Sequence, residues 1–248
     1  MSLKMSGVGL VTGASSGIGL ALAIALATSG MSLYLTGRNP ARLSSAASTI
    51  RARGGRAVWR PADLGNDAEL RGLADWVKRD AGSLDVLAHS AGSIHLGDIE
   101  AVDWDDLDSD YRINLRAPFL LTKLLLPLLT TAKGQLVFIN STAGLAAGRD
   151  NALYAATKHG LRSLAGSIRE QVNNLGIRVL SVFPGRTDTP MQEAVLRFEG
   201  RSYRPEELLR PEEVAEIVLA SLTLPRSAEV VDVVMRPSAK PSGERSAR

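Results

Sequence analysis

Tyr154 and Lys158 stand four residues apart in the stretch LYAATKHG (153–160), a spacing that puts both side chains on one face of a helix. Together they form a candidate acid–base couple. A free phenol titrates near pH 10, and lowering it by about two to three units takes roughly 3–4 kcal/mol of preferential phenolate stabilisation. A neighbouring ammonium supplies part of that. A second chemical feature lies near the N-terminus, where LVTGASSGIGLALA (10–23) joins an apolar strand pattern to an apolar helix pattern through Gly13, Gly17 and Gly19. Glycine lets the backbone turn sharply and come close to a phosphate, and the helix beyond offers unpaired N–H groups at the positive end of its dipole. The turn is not followed by the Gly-Lys-Ser/Thr that would cradle a nucleoside triphosphate.

The elements that must hold these residues alternate along the chain. Strand patterns fall at 8–12, 31–36, 57–60, 84–89, 135–140, 177–183 and 229–235, and helix patterns at about 17–29, 40–53, 66–80, 104–129, 152–174 and 211–224. Pro40 and Pro211 suit first helical turns, Gly30 and Gly176 follow helices, and Pro225 ends the last one. Seven strands alternating with helices, without a repeat or a break in composition, predict a single α/β domain: a doubly wound, seven-stranded parallel sheet covered on both faces. Ligands of such sheets bind beyond the carboxyl ends of the strands, where the strand order reverses.

Bulk composition narrows the function. The chain has 248 residues, no cysteine and three histidines without metal-ligand spacing, so neither a disulfide framework nor a metal centre is expected. The apolar runs near 20–27 and 124–129 are short for a bilayer, and the N-terminus lacks a secretory signal, which reads as a soluble cytoplasmic protein. The sequence pI is 9.4. From Arg236 onward, however, four basic residues and one acidic residue carry a net +3, equal to the formal charge of the whole chain. Residues 237–248 therefore read as a solvated basic tail on a nearly neutral domain (1–236), and nucleic acid is not an expected partner.

With Thr12 to Gly19 spelling T-G-x-x-x-G-x-G, the chain resembles the short-chain dehydrogenase/reductase family over nearly its whole length, from this turn to the final strand. The resemblance implies a Rossmann domain, with Gly13, Ser15, Ser16, Gly17, Ile18 and Gly19 around a dinucleotide. It also assigns Asp63 and Leu64 to the adenine side, Ala91 and Gly92 to the cofactor ribose, and Pro184, Gly185, Thr187 and Thr189 to the carboxamide. Ser141 lies thirteen residues before Tyr154, the family spacing between a carbonyl-polarising serine and the catalytic tyrosine. Asn114, in RINLRAP, matches the residue that supports a proton-relay water. The implied roles are Tyr154 as acid and base, Lys158 as electrostatic partner and ribose ligand, Ser141 as polariser and Asn114 as relay support.

The second strand pattern ends with Gly37 and Arg38 where an NAD-preferring relative has a carboxylate, and a guanidinium there suits a 2′-phosphate. NADP(H) is therefore expected ahead of NAD(H). The family's Asn-Asn-Ala-Gly is replaced by His89-Ser90-Ala91-Gly92, which puts in doubt the hydrogen bond that ties the strands together there. Residues 190–210 read as a substrate lid, in which Arg197, Arg201 and Arg204 could attract an acidic substrate. The expected reaction is hydride transfer between NADP(H) and a small carbonyl or secondary alcohol, in a homodimer or homotetramer. The ending resembles NADP-dependent relatives that act on hydroxy acids, serine-like substrates and assorted carbonyls. A 3-oxoacyl carrier-protein reductase and a non-catalytic NADP(H) sensor remain as alternatives.

Overall fold

In the computed structural model, which describes residues 3–238, seven parallel strands form one sheet in the order β3-β2-β1-β4-β5-β6-β7. The strands are β1 (Val8–Thr12), β2 (Ser32–Gly37), β3 (Arg56–Pro61), β4 (Val86–His89), β5 (Gln135–Ile139), β6 (Arg178–Pro184) and β7 (Asp232–Met235). The helices are α1 (Gly17–Ser29), α2 (Pro40–Ala52), α3 (Asp67–Asp80), α4 (Trp104–Tyr111), α5 (Ala117–Ala132), α6 (Ala152–Val172), α7 (Pro190–Phe198) and α8 (Pro211–Leu222).

Strand periodicity divides the core in two. Successive side chains of a strand point to opposite faces, so Leu10, Tyr34, Leu136 and Phe138 pack with α3, α5 and α6. Their neighbours Val11, Leu35, Val137 and Ile139 pack with α1, α2 and α8. Because both faces are covered, the strands are nearly continuous apolar runs rather than alternating ones. The outer helices show the complementary pattern. In α3, Leu70, Leu73, Ala74 and Val77 are buried at helical spacing, and the Asn66 side chain caps the N-terminus by accepting from Ala68 and Glu69 N–H.

The strand order reverses between β1 and β4, which pair through Gly9 with Val86 and Val11 with Ala88. Their carboxyl ends therefore open the crevice into which the glycine turn projects. The expected elements are found with small shifts: β4 starts two residues later than predicted and β7 three. The predicted helix 104–129 is divided, since Arg112–Arg116 forms a π turn between α4 and α5. By length and composition Trp104–Ala132 is apolar enough to cross a membrane. One face of it, through Leu121, Leu125 and Leu129, packs into the core. The 190–210 segment contains α7 and a short 3-10 turn at Pro205–Glu207. Of the predicted tail, 239–248 lies outside the described residues.

Candidate active site

The first-turn amides of α1 face the crevice without a side-chain partner. Ser16 sits at the N-cap in extended conformation but makes no capping hydrogen bond, and no acidic residue lies in the first turn. That leaves a positive helix end available to an anion. The glycines around it are demanded by packing. Gly13 has φ +66°, and a Cβ there would lie 2.8 Å from the Ala91 backbone. A Cβ on Gly19 would come within 2.3 Å of the Gly13 carbonyl oxygen. The sharp turn and the neighbouring strand end thus interlock, and the backbone itself becomes the floor of the site.

The strand tie left in doubt by Ser90 is made by Thr12. Its hydroxyl accepts from the Ser90 and Ala91 N–H groups at 3.0 and 3.1 Å and lies 3.3 Å from the Ala88 carbonyl oxygen. His89 points away from the site. It is buried, stacks on Phe138 and pairs through Nε2 with the Thr122 hydroxyl at 2.8 Å. Burial pushes its pKa down to about 3.

A cavity of about 690 Å³ runs from this turn across the carboxyl ends of the strands. All the residues assigned to cofactor and catalysis line it, except Asn114. Arg38 is exposed at its far end and forms no ion pair or hydrogen bond among the described residues, as a guanidinium awaiting a phosphate would. Uncapped amides, glycine floor and free guanidinium together fit a phosphate-bearing dinucleotide. Thr189 and Thr187 are partly engaged elsewhere. The Thr189 hydroxyl caps α7 by accepting from Gln192 N–H at 3.1 Å, and the Thr187 hydroxyl donates to the Gly185 carbonyl at 3.0 Å.

Tyr154 and Lys158 both lie on the buried face of α6. The Lys158 ammonium donates to the Ile139 carbonyl at 3.1 Å and stands 5.6 Å from the centre of the Tyr154 ring. The small Ala155 between them is buried against Ala143 and Ile94. Ser141, just past β5, lines the same cavity as Tyr154, and its oxygen accepts from Ala143 N–H at 3.1 Å. Ser141, Tyr154 and Lys158 therefore meet on one wall of the cavity.

The electrostatics depart from the expected depressed phenol. Burial, the largest influence, pushes Tyr154 up to about 12, and the Ser141 hydrogen bond pulls the other way. Burial also brings Lys158 down to about 8, opposed by the negative charge of Asp110. Desolvation acts on both partners and favours the neutral form of each. At this distance the ammonium does not reverse that for the phenol. The protein by itself thus keeps the Tyr154 phenol protonated.

Asn114 is fully buried in the π turn, a backbone irregularity found often at functional sites. Its amide oxygen accepts from Ser93 N–H at 2.9 Å. Its nitrogen donates to the Ser93 carbonyl at 2.9 Å and to the Thr157 hydroxyl at 3.0 Å. It therefore ties the segment after β4 to α6, and contacts neither Tyr154 nor Lys158 through a hydrogen bond. Gly92 lies between: a Cβ there would be 3.3 Å from Asn114 Oδ1 and 4.0 Å from Lys158 Nζ.

Sequence reasoning passed over three polar residues. The buried Asn140 side chain donates to the Lys158 carbonyl at 3.1 Å and accepts from Ser141 N–H at 2.9 Å, so one amide positions both catalytic segments. Ser93 and the buried Asp110 anchor the segment beside Asn114. Asp110 precedes Asn114 by four residues, a helical spacing that was available as a signal. The lid arginines are matched by carboxylates rather than presented to a substrate: Arg197 with Glu193 at 3.2 Å, Arg201 with Glu199 at 3.7 Å and Arg204 with Glu207 at 3.4 Å. The two ends of the 190–210 segment are tied together, since Asp188 N–H donates to the Leu209 carbonyl and Leu209 N–H to that of Arg186. The Tyr203 hydroxyl donates to Asp188.

Comparison with known proteins agrees with this geometry. The family pattern described as short chain dehydrogenase matches residues 8–200. An uncharacterized oxidoreductase of Staphylococcus aureus (strain USA300) is 30% identical over 240 residues, 96% of this chain and 100% of the relative. An alcohol dehydrogenase from the archaeon Thermococcus sibiricus, complexed with 5-hydroxy-NADP, superposes with a TM-score of 0.86 at 26% identity, covering 96% of this chain and 100% of the other. A metagenomic short-chain oxidoreductase in complex with NADP gives a TM-score of 0.82 at 30% identity, covering 97% and 100%.

Proposed function

The chain belongs to the short-chain dehydrogenase family and is an oxidoreductase; we propose that it moves a hydride between NADP(H) and a small carbonyl or secondary-alcohol substrate, with Tyr154 as the proton donor. The observation that carries this reading is the convergence of Ser141, Tyr154 and Lys158 on one wall of a cavity whose other end is a phosphate cradle. NADP(H) is favoured over NAD(H) by the free guanidinium of Arg38, and by the NADP or 5-hydroxy-NADP in the structures of the relatives.

When bound, the nicotinamide supplies the hydride. The protein manages the charge that then grows on the carbonyl oxygen. Ser141, fixed by Ala143 N–H, offers a preorganised hydroxyl to that oxygen, worth most where water is excluded. Tyr154 gives up its proton as the charge appears, a step worth about 10²–10⁴-fold in rate. Once the phenol is anionic the Lys158 ammonium on the same face stabilises it, so the pair serves the transition state more than the resting state. In the oxidation direction the same groups return the proton.

The apolar wall beside the Tyr154 hydroxyl, built from Ile94 and Ala143, suits the hydrocarbon flank of a small ketone. We also read the exposed Trp104, Leu107 and Tyr111 of α4 and Phe119 of α5 as contacts of a homo-oligomer. Large apolar side chains gathered on one helical face are a common mark of such surfaces. The test of function is a carbonyl panel with NADPH. Wild type should reduce a small ketone, and Tyr154→Phe should lose at least about 100-fold in kcat while still binding NADPH. Undiminished turnover in that variant would remove Tyr154 from the mechanism.

A further inference from the structure

Asp110 is 0% exposed, an unusual place for a carboxyl group in a soluble fold. Two donors and one imidazole nitrogen converge on its two oxygens. The Ser93 hydroxyl donates to Oδ1 at 2.7 Å, His95 N–H to Oδ2 at 3.2 Å, and His95 Nδ1 lies 2.9 Å from Oδ1. That is the arrangement an acceptor-only carboxylate takes. Ser93 is also the residue whose backbone clamps the Asn114 amide, and Asn114 in turn donates to Thr157, the neighbour of Lys158. A continuous chain of hydrogen bonds thus runs from Asp110 to the catalytic face of α6.

We propose that Asp110 is a positioning residue for the reaction: its sealed carboxyl group holds the segment after β4 against the site and stands as the buried counter-charge to Lys158, beside which that segment passes at Gly92. The inference rests on the reading of Tyr154 and Lys158 as the reacting pair. Among the described residues no carboxylate forms an ion pair with Lys158, whose ammonium has the Ile139 carbonyl as its hydrogen-bond partner. Its counter-charge must therefore act through space, where low dielectric makes a buried charge effective. The ionisable groups around Asp110 are Asp106 on its own helix, His95 on the segment after β4, and Tyr154 and Lys158 on α6. Asp106 lies 3.5 Å from His95 Nε2. The charge of Asp110 opposes the lowering that burial imposes on Lys158 and adds to the raising that burial imposes on Tyr154. Both effects favour a cationic lysine beside a neutral phenol, the state from which a carbonyl is reduced.

A purely structural anchor would predict something different, and the pH profile separates the two. Carbonyl reduction with NADPH is measured against pH for wild type, Asp110→Asn and Asp110→Glu, with thermal unfolding recorded for each. The expected result is a basic limb of kcat/KM that moves to lower pH by about half a unit or more in Asp110→Asn. Activity then falls several-fold more at about pH 8.5 than at about pH 6.5, while Asp110→Glu keeps the wild-type limb. A uniform loss at every pH with an unmoved limb would overturn the proposal. If Asp110→Asn does not fold, Asp110→Ser serves as the neutral variant with the same expected shift. Failure of both to fold would assign Asp110 to the fold alone and also overturn it. A wild type that binds NADPH but reduces no carbonyl sinks the functional reading itself. An active wild type whose limb ignores Asp110 sinks only this inference.

Discussion

The Thr12 hydroxyl at the end of β1 accepts from the backbone N–H of Ala91 beyond β4 at 3.1 Å, and so ties together the two strands between which the sheet reverses. With Ser90 N–H bonded to the same oxygen, one side chain satisfies two backbone donors at the mouth of the cofactor crevice. Thr12→Val keeps the shape and removes the acceptor. Leaving both donors unpaired should cost about 2–4 kcal/mol and weaken NADPH binding, whereas Thr12→Ser should be nearly neutral. Chemical denaturation together with NADPH titration reads both. Equal stability of the Val and Ser variants would show that the tie is unimportant.

Lys158 should trade stability for function. Its folded-state pKa, brought down to about 8, lies below the value near 10.4 of an unfolded lysine. The unfolded chain therefore holds more protons between those values, and stability gains from this group as pH rises through that window. At neutral pH the buried charge is a net cost. Lys158→Met, similar in volume, should raise stability at pH 7 by about 1–2 kcal/mol, or roughly 2–8 °C in Tm, while abolishing reductase activity. A lowered Tm at pH 7 would contradict this.

His89 should make the fold acid-sensitive. Burial holds its pKa at about 3, below the 6.5 of an exposed histidine. The contribution is fully present above about pH 6.5 and is lost as pH falls toward 3, because only the unfolded chain takes up the proton there. The slope is about 1.4 kcal/mol per pH unit in that interval. His89→Gln, which retains a hydrogen-bonding group for Thr122, should flatten the unfolding free energy between about pH 6 and 4 by that amount. An unchanged slope would show that His89 is not the group responsible.

Arg38 should set cofactor preference. Replacing its guanidinium in Arg38→Ser removes a charge-assisted contact worth about 1.5–3 kcal/mol, so KM for NADPH should rise about 10–100-fold. KM for NADH should change little. A parallel rise for both cofactors would place the effect in the loop's folding rather than in phosphate recognition.

Much of this site was readable along the chain because its logic is local. The strand-turn-helix around Gly13 to Gly19 and the i,i+4 relation of Tyr154 and Lys158 follow from short-range periodicity and turn chemistry. Ser141 and the missing carboxylate at Arg38 were legible only through the family resemblance. Helix α7 in the 190–210 segment and the carboxylates that pair with its arginines were not legible in the sequence. Asn140 and Thr12 looked like ordinary strand ends until the hydrogen bonds they make with distant segments were seen.

What the sequence alone determined is therefore the alternation of elements, the parallel sheet and the spacing of Tyr154 and Lys158, since each is encoded within a turn or two of backbone. Only the tertiary structure decided the surroundings that set the protonation of these groups. It buried Tyr154 so that its phenol rises to about 12 rather than falling, turned His89 inward onto Phe138, and brought Asp110 and Ser93 together beneath Asn114. Desolvation and the field of a buried charge depend on which distant segments pack around a group. That information exists only once the chain has folded.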